Sequence, residues 1–306
     1  MEYHRPVMLE ESVEALAIKP EGIYVDVTFG GGGHSSLIAS KLTAGKLYGF
    51  DQDRDAEEQS KKLDSATFQF VRANFRDLKK YLRLYRVKEV DGILADLGVS
   101  SHQFNVPERG FSTRFDGPLD MRMNAEAGAT AQEVLETYSE EQLHRIFGIY
   151  GEVKNAKTLA RTVAEKRNRV PLQTINDFKE AIRSCTPKGK ENKYLAQVFQ
   201  ALRIEVNDEM KALEEMLEQA TELLKPGGRL VVISYHSLED RLVKNYIAKG
   251  KFFGEVEKDL FGNEIKPLEA VYRKPVTPTE QELLENSRSR SAKLRVAEKR
   301  EDSGQK

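Results

Sequence analysis

Four consecutive glycines, Gly30 to Gly33, follow the apolar run Val25-Asp26-Val27-Thr28-Phe29, and a helical pattern opens at His34 directly after them. A strand that runs into glycines and then a helix brings free N–H groups and the positive helix end to the carboxyl edge of a sheet. Open α/β folds bind ligands there. A second apolar stretch ends at Asp51, eighteen residues beyond Gly33. Nucleotide-binding folds place at that point an acid that accepts hydrogen bonds from both ribose hydroxyls. A further strand-like stretch, "VDGILADLG", carries Asp96, and the polar group Tyr235-His236-Ser237 follows "RLVVIS". A glycine turn that serves chain geometry alone is the plain alternative for 30–33, and the paired acid weighs against it.

The residues also discriminate between nucleosides. The dinucleotide fingerprint G-x-G-x-x-G, counted from Gly30 and Gly32, needs Gly or Ala at position 35, where the chain has Ser35. Asp26 inside the first strand and the wider turn after it suit a cationic or zwitterionic ligand better than a pyrophosphate. S-adenosylmethionine (SAM) is such a ligand, with its ribose on Asp51 and its methionine part over the glycines. An NAD-dependent oxidoreductase on the same fold is the first rival.

These residues need a scaffold, and the patterning supplies one. Strand-like and helix-like segments alternate through the first hundred residues. Strands are expected at 22–30, 46–53, 67–75 and 90–98, and helices near 34–42, 54–63 and 76–85. The strands read as buried on both faces, which argues for a parallel sheet covered by helices. From Pro107 to Val206 the patterns are helical only, in TAQEVLETYS, EEQLHRIFGIY, AKTLARTVAEK, TINDFKEAIRS and KYLAQVFQALRIEV. A helix over 208–224, stopped by "KPGG", and a strand at 229–235 then resume the sheet. "EAVYRKPV" and "KLRVAEK" read as final, antiparallel strands, and the polar end "EKREDSGQK" as a frayed tail. The expected architecture is a doubly wound, mostly parallel α/β domain formed by 1–106 and 207–306, interrupted by an all-helical insertion at 107–206.

Composition removes several other classes. Charged residues make up 32% of the 306 residues and the net charge is −1, so any nucleic-acid partner must meet a local patch. The single cysteine, Cys185, forbids an intrachain disulfide and a cysteine-based zinc site, and fits a reducing compartment. The five histidines are scattered without ligand spacing, so no metal is expected. The amino-terminal stretch lacks the pattern of a signal peptide, and no apolar run is long enough for a membrane span, which makes the cytoplasm the default location.

Seven blocks carry a wider likeness: "GIYVDVTFGGGGHS", "DGILADLGVSS", "ERGFS", "DGPLDMRM", "FQALRIEVNDE", "LKPGGRLVVISYHSLEDRLVK" and "SRSAKLRVAEK". In order, and nearly end to end, they resemble the signature blocks of the bacterial 16S rRNA cytosine-N4 methyltransferases, the MraW or RsmH family. The resemblance implies a class I SAM-dependent methyltransferase fold, Rossmann-like. It implies methylation of the exocyclic N4 of a cytidine in 16S rRNA, at position 1402 of the decoding centre in the customary numbering. It implies SAM held by Gly32, Gly33, His34, Asp51, Phe75, Asp96 and Gln103, with S-adenosyl-L-homocysteine as product. It implies 16S rRNA or the small ribosomal subunit as partner, and it allows a homodimer. On spacing alone Phe75 is equally compatible with a core residue, and His34 reads as a capping or solvent-facing one.

The amine of cytosine is a poor nucleophile because its lone pair is delocalised into the ring. Its enzyme needs acceptors that hold the N–H groups and aim the lone pair. Many amino-methyltransferases use (N/D)-P-P-(Y/F) after the fourth strand, whereas this chain has Asp96-Leu97-Gly98-Val99. The acid is kept; the prolines and the aromatic are not. Asp96 is a candidate acceptor or a buried structural aspartate. Tyr235, His236 and Ser237 are the other catalytic candidates, with His236 a candidate proton shuttle. For RNA, Lys154 to Lys193 holds eleven basic and four acidic residues, Lys166, Arg167 and Arg169 among the former. Arg109, Asp120 and Arg122 of "ERGFSTRFDGPLDMRM" are candidates for base or phosphate contact. The alternatives are a solvated charged face, salt-bridged loop residues, and, for the whole chain, a non-catalytic RNA-binding factor with a vestigial SAM fold.

Overall fold

The computed structural model describes residues 6–64 and 66–301; the last five residues of the tail expected to fray lie outside them. The chain forms two compact units, one built from the chain up to Gly98 and from Met210 onward, the other from Val99–Glu209.

The first unit is a doubly wound, mostly parallel α/β fold. Its seven-stranded sheet has the order β3-β2-β1-β4-β5-β9-β8. The strands are β1 (Ile23–Asp26), β2 (Lys46–Asp51), β3 (Phe68–Arg72), β4 (Val90–Asp96), β5 (Leu224–Ser234), β8 (Leu268–Ala270) and β9 (Lys293–Lys299). The first five are mutually parallel, and β9 runs antiparallel to both β5 and β8. The irregular pairing at the start of β5 coincides with Lys225–Gly228 of the "KPGG" turn, where register is lost between Val90 and Gly92. Between Val271 and Val276 the expected strand does not continue; Val276 meets Leu294 in a single bridge. A small hairpin, β6 (Glu257–Lys258) with β7 (Glu264–Ile265), is exposed and charged at three of its four strand residues, so no apolar alternation announced it.

Successive strand residues point to opposite faces, and the core divides accordingly. Val25, Phe50, Ile93 and Val232 share one apolar cluster with α4 (Leu78–Leu84), α11 (Glu209–Leu223) and α12 (Ser237–Lys249). Tyr24, Leu47, Leu94 and Val231 share the other with α1 (Leu9–Ala15), α2 (Gly33–Ser40) and α3 (Arg54–Ser60). Helices on both faces explain why these strands read as continuous apolar runs.

The second unit is helical: α5 (Ser101–Asn105), α6 (Ala131–Thr137), α7 (Glu140–Ile149), α8 (Ala156–Lys166), α9 (Ile175–Ala181) and α10 (Glu191–Asn207). Ser100, Thr130, Ser139 and Thr174 each form a capping box with the residue three positions on. Such boxes satisfy orphan N–H groups and fix where each helix starts. Leu135, Leu143, Phe147, Leu159, Phe178 and Leu202 are wholly buried among them. The unit begins at Val99, before the expected 107, because Val99 and Phe104 pack on this core. It ends at Glu209, whose carboxylate pairs with Arg203 Nε at 2.7 Å.

Candidate functional site

The strand order reverses beside β1, which has β2 on one side and β4 on the other. The carboxyl ends of such strands diverge and leave a crevice. Asp26 ends β1, Asp51 ends β2, Asp96 ends β4, and Tyr235 follows β5.

Asp51 accepts from the backbone N–H of Gly30 through Oδ2 and of Asp53 through Oδ1, each at 2.8 Å. A carboxylate oxygen has two acceptor positions, so one on each oxygen remains for a pair of hydroxyls. Burial pushes its pKa up to about 6 against these two hydrogen bonds. The carboxylate ties the glycine turn to β2 and fits the ribose of an adenosine.

The glycines answer first to the protein itself. Gly32 caps α2 with φ 78°, and a Cβ there would lie 2.7 Å from the Phe29 ring. A Cβ on Gly33 would lie 2.2 Å from Pro6 Cγ. Their lack of side chains is therefore required by packing before any ligand arrives. His34, expected at a cap or in solvent, is buried instead: Nε2 donates to the Val7 carbonyl at 3.2 Å, and Nδ1 lies 3.8 Å from Asp96 Oδ2.

Asp26, expected to favour a cationic ligand group, is itself buried. It accepts from Ser35 Oγ at 2.7 Å and Thr28 N at 3.0 Å. Ser35 therefore stands where a dinucleotide site would have Gly or Ala because a buried carboxylate needs its hydroxyl. Thr28 Oγ1 in turn accepts from the backbone N–H of Asp96 at 2.6 Å, linking the ends of β1 and β4.

Asp96 Oδ1 accepts the hydroxyl of Tyr235 at 2.6 Å. Burial lifts the pKa of Asp96 to about 6, opposed by the His34 ring and this hydrogen bond. Burial and then the Asp96 charge hold Tyr235 well above its usual value, so the phenol keeps its proton and acts as donor. His236 caps α12 in a box with Glu239, and its Nε2 lies 3.1 Å from Glu239 Oε1. Buried Glu239 also accepts from Tyr235 N at 2.9 Å. Ser237 is exposed at the first position of α12. Phe75 lies in the turn after β3, half-buried against the core that includes Val71 and Leu78.

Thr28, Ser35 and Glu239 escaped the sequence reading as site residues. Thr28 forms a turn onto the Asp two residues before it, a pattern that was readable. Glu239 completes a capping box in which His replaces the usual Ser or Thr, which hid it.

In the helical unit, Gln103 is buried and accepts from Ser100 N at 3.0 Å in the α5 capping box. The loop candidates are engaged with one another. Arg122 grips Asp120 through Nε and Nη2, each at 2.8 Å, and Arg109 donates to the carbonyls of Arg122 and Met123. Burial pushes Asp120 up, but the Arg122 guanidinium and backbone N–H pull it further down, below the usual carboxylate range. These three hold the loop's shape. Arg167 donates to the carbonyls of Leu135 and Tyr138 at the end of α6, at 2.9 and 2.6 Å. Lys166 and Arg169 are exposed. Arg114, with its guanidinium 5.1 Å from the Phe104 ring centre and 5.8 Å from that of exposed Phe115, is a second cationic and aromatic surface in this unit.

The model of the MraW methylase family matches residues 1–300. The ribosomal RNA small subunit methyltransferase H of Cytophaga hutchinsonii is 57% identical over 297 residues, covering 97% of this chain and 99% of its own. The protein of that name from Christiangramia forsetii is 55% identical over 300 residues, covering 98% of each. Among solved structures, an rRNA methylase from Streptococcus thermophilus covers 96% of this chain and 94% of its own, with 14% identity and a TM-score of 0.41. A match across almost the whole length, with relatives above half identity, is decisive: the chain belongs to the MraW methylase family.

Proposed function

We propose that this protein transfers a methyl group from SAM to the exocyclic N4 of a cytidine in 16S rRNA, the decoding-centre position 1402 of its family. The observation that carries the chemistry is the pair of acids flanking the switch in strand order. Asp51 keeps two acceptor positions at the end of β2, and Asp96 offers Oδ2 at the end of β4 while Oδ1 is held by Tyr235. In this reading Gly32, Gly33, His34, Asp51, Phe75 and Asp96 hold the cofactor. When bound, SAM would supply a methyl on a sulfonium, and the electrons of the broken carbon–sulfur bond would stay on the sulfur of S-adenosyl-L-homocysteine.

Asp96 Oδ2 accepts one N–H of the cytidine amine and turns the nitrogen lone pair toward the methyl. The amine gains the methyl and sheds one proton, and a carboxyl with a pKa of about 6 is a ready acceptor for it near neutrality. Reaching such a crevice requires the base to leave its stack, at a cost of roughly a few kcal/mol. Exposed Lys166 and Arg169, within the basic stretch of the helical unit, suit the flanking phosphates. Among the described residues no helix is long and apolar enough to cross a membrane, and ribosomal RNA as substrate puts the protein in the cytoplasm.

The test is incubation of the purified protein with labelled SAM and small subunits from a strain lacking this methylation, followed by mass mapping of the rRNA. N4-methylcytidine at one decoding-centre position is the expected result. No incorporation, or a methyl on a ring carbon, ends the proposal. Binding of NAD but not SAM in parallel titrations restores the oxidoreductase rival.

A further inference from the structure

The motif that commonly follows the fourth strand supplies an acid, two prolines and an aromatic; here Leu97 and Gly98 leave Asp96 without local support. The structure provides that support from the neighbouring strand. A Cβ placed on Gly98 would lie 3.6 Å from Tyr235 Cδ2, ordinary contact distance, so the tyrosine ring packs against the peptide two residues beyond Asp96. The backbone that carries the ring is held by the Tyr235 N–H, which donates to Glu239 Oε2 at 2.9 Å. Its hydroxyl donates to Asp96 Oδ1 at 2.6 Å, within the range of charge-assisted O–H···O bonds. The Asp96 backbone is fixed independently by Thr28 Oγ1. Among the described residues, the group facing Oδ2 is the His34 ring at 3.8 Å, beyond hydrogen-bond reach.

We propose that Tyr235 is a positioning residue for the methyl transfer: its hydroxyl pins Oδ1 of Asp96, so that Oδ2 alone is presented to the amine in a fixed direction. The inference rests on Asp96 acting as the amine's acceptor and replaces the expectation that Tyr235 meets the base directly. A free aspartate has two equivalent oxygens and two rotatable bonds; the hydroxyl removes both ambiguities before substrate arrives. The groups that act on Asp96 are Asp26 from β1, His34 from α2, Tyr235 after β5 and Glu239 from α12. Of these only Tyr235 forms a direct hydrogen bond to the carboxylate.

Tyr235→Phe removes one oxygen and keeps the ring against Gly98. The expected result is a kcat lowered roughly ten- to a hundredfold, as for loss of a hydrogen bond to a charged group, with KM for rRNA and Kd for SAM within about twofold. The acidic limb of kcat should also move to higher pH, because the lost bond favoured the ionised acid. A structural role alone would not move that limb. In an Asp96→Asn background the same change should lower kcat less than twofold, because the two act as one unit. An unchanged kcat and an unmoved limb in Tyr235→Phe overturn the proposal, as do full and additive losses in the double variant. Titration of Asp96 by carboxyl carbon NMR, without substrate, separates the two claims. If Tyr235→Phe raises the Asp96 pKa while wild-type protein methylates no rRNA, the positioning hydrogen bond stands as chemistry and the functional reading fails.

Discussion

Replacing Asp96 by Asn keeps the size of the side chain and removes the charge that this sheet edge has to bury. Burial raises the pKa of Asp96 from 3.8 to about 6, with His34 and the Tyr235 hydroxyl opposing it. The displacement corresponds to about 3 kcal/mol between the two protonation states. The side chain is 23% exposed, and a neutral amide holds the Tyr235 hydroxyl less tightly than a carboxylate does. About 1 to 2 kcal/mol of net stabilisation in Asp96→Asn should survive these reductions. Because the folded pKa is the higher one, the folded form binds more protons between about pH 4 and pH 6. The stability contributed by this group is complete below about pH 4 and lost as pH rises through 6. Asp96→Asn should therefore match the wild type at about pH 4 and exceed it by the full amount at about pH 8. Asp51 and Asp26 are raised in the same direction, and to a first approximation their slopes cancel in the difference between the two proteins. The assay is urea unfolding at both pH values, with amide exchange of β1, β4 and β5 peptides to report the sheet separately from the helical unit. Methylation should meanwhile fall by roughly two to three orders of magnitude, as when a transition-state hydrogen-bond partner is removed. A variant that is less stable at pH 8 by 1 kcal/mol or more, or a gap that ignores pH, would refute this reasoning.

Two other perturbations probe separate parts of the site. Asp51→Asn should weaken SAM binding at least about tenfold in calorimetry, since hydrogen bonds from hydroxyls to a charged acceptor contribute roughly 1.5 to 3 kcal/mol each; unchanged affinity would remove Asp51 from the cofactor site. Lys166→Ala with Arg169→Ala should weaken rRNA binding and flatten its logarithmic salt dependence by roughly 0.7 to 0.9 for each phosphate left unneutralised. Arg167 is left in place in that variant because it caps the carbonyls of Leu135 and Tyr138, and its loss would confound binding with folding. Equal salt slopes for the variant and the wild type would move the RNA surface elsewhere.

What could be read in the chain before its structure follows from the range of the interactions involved. The end of β2 at Asp51 was legible because it is a local event, an apolar run closed by an acid, whereas β1 stops at Asp26 rather than running on to Gly30, because Val27, Thr28 and Phe29 continue the apolar pattern beyond the strand. The starts of α6, α7 and α9 were legible for the same reason, since a capping box joins residues only three positions apart, while the short α5 was not expected and α10 starts two residues before its expected pattern. The role of an individual polar side chain was not, because its partner is set by the fold. Asp96 and Tyr235 lie 139 residues apart, and no spacing rule joins them. Arg109, Arg122 and Arg167 looked like free cations for RNA, yet each is committed to carbonyls or a carboxylate of its own unit. A guanidinium that satisfies two backbone carbonyls cannot be removed without leaving them unpaired, so charge counted along a sequence overstates the charge offered to a partner. The same logic runs the other way at the sheet edge. Ser35 and Thr28 satisfy Asp26, Thr28 also holds the Asp96 backbone, and Tyr235 occupies Oδ1. Capacity for a new partner is then left on Asp96 Oδ2, on the remaining lone pairs of Asp51 and on His236 Nε2, a buried nitrogen without a hydrogen-bond partner among the described residues. With Oδ1 of Asp96 held by Tyr235, an amine that approaches this carboxylate meets one oxygen, and a single acceptor direction is what turns a lone pair toward one methyl.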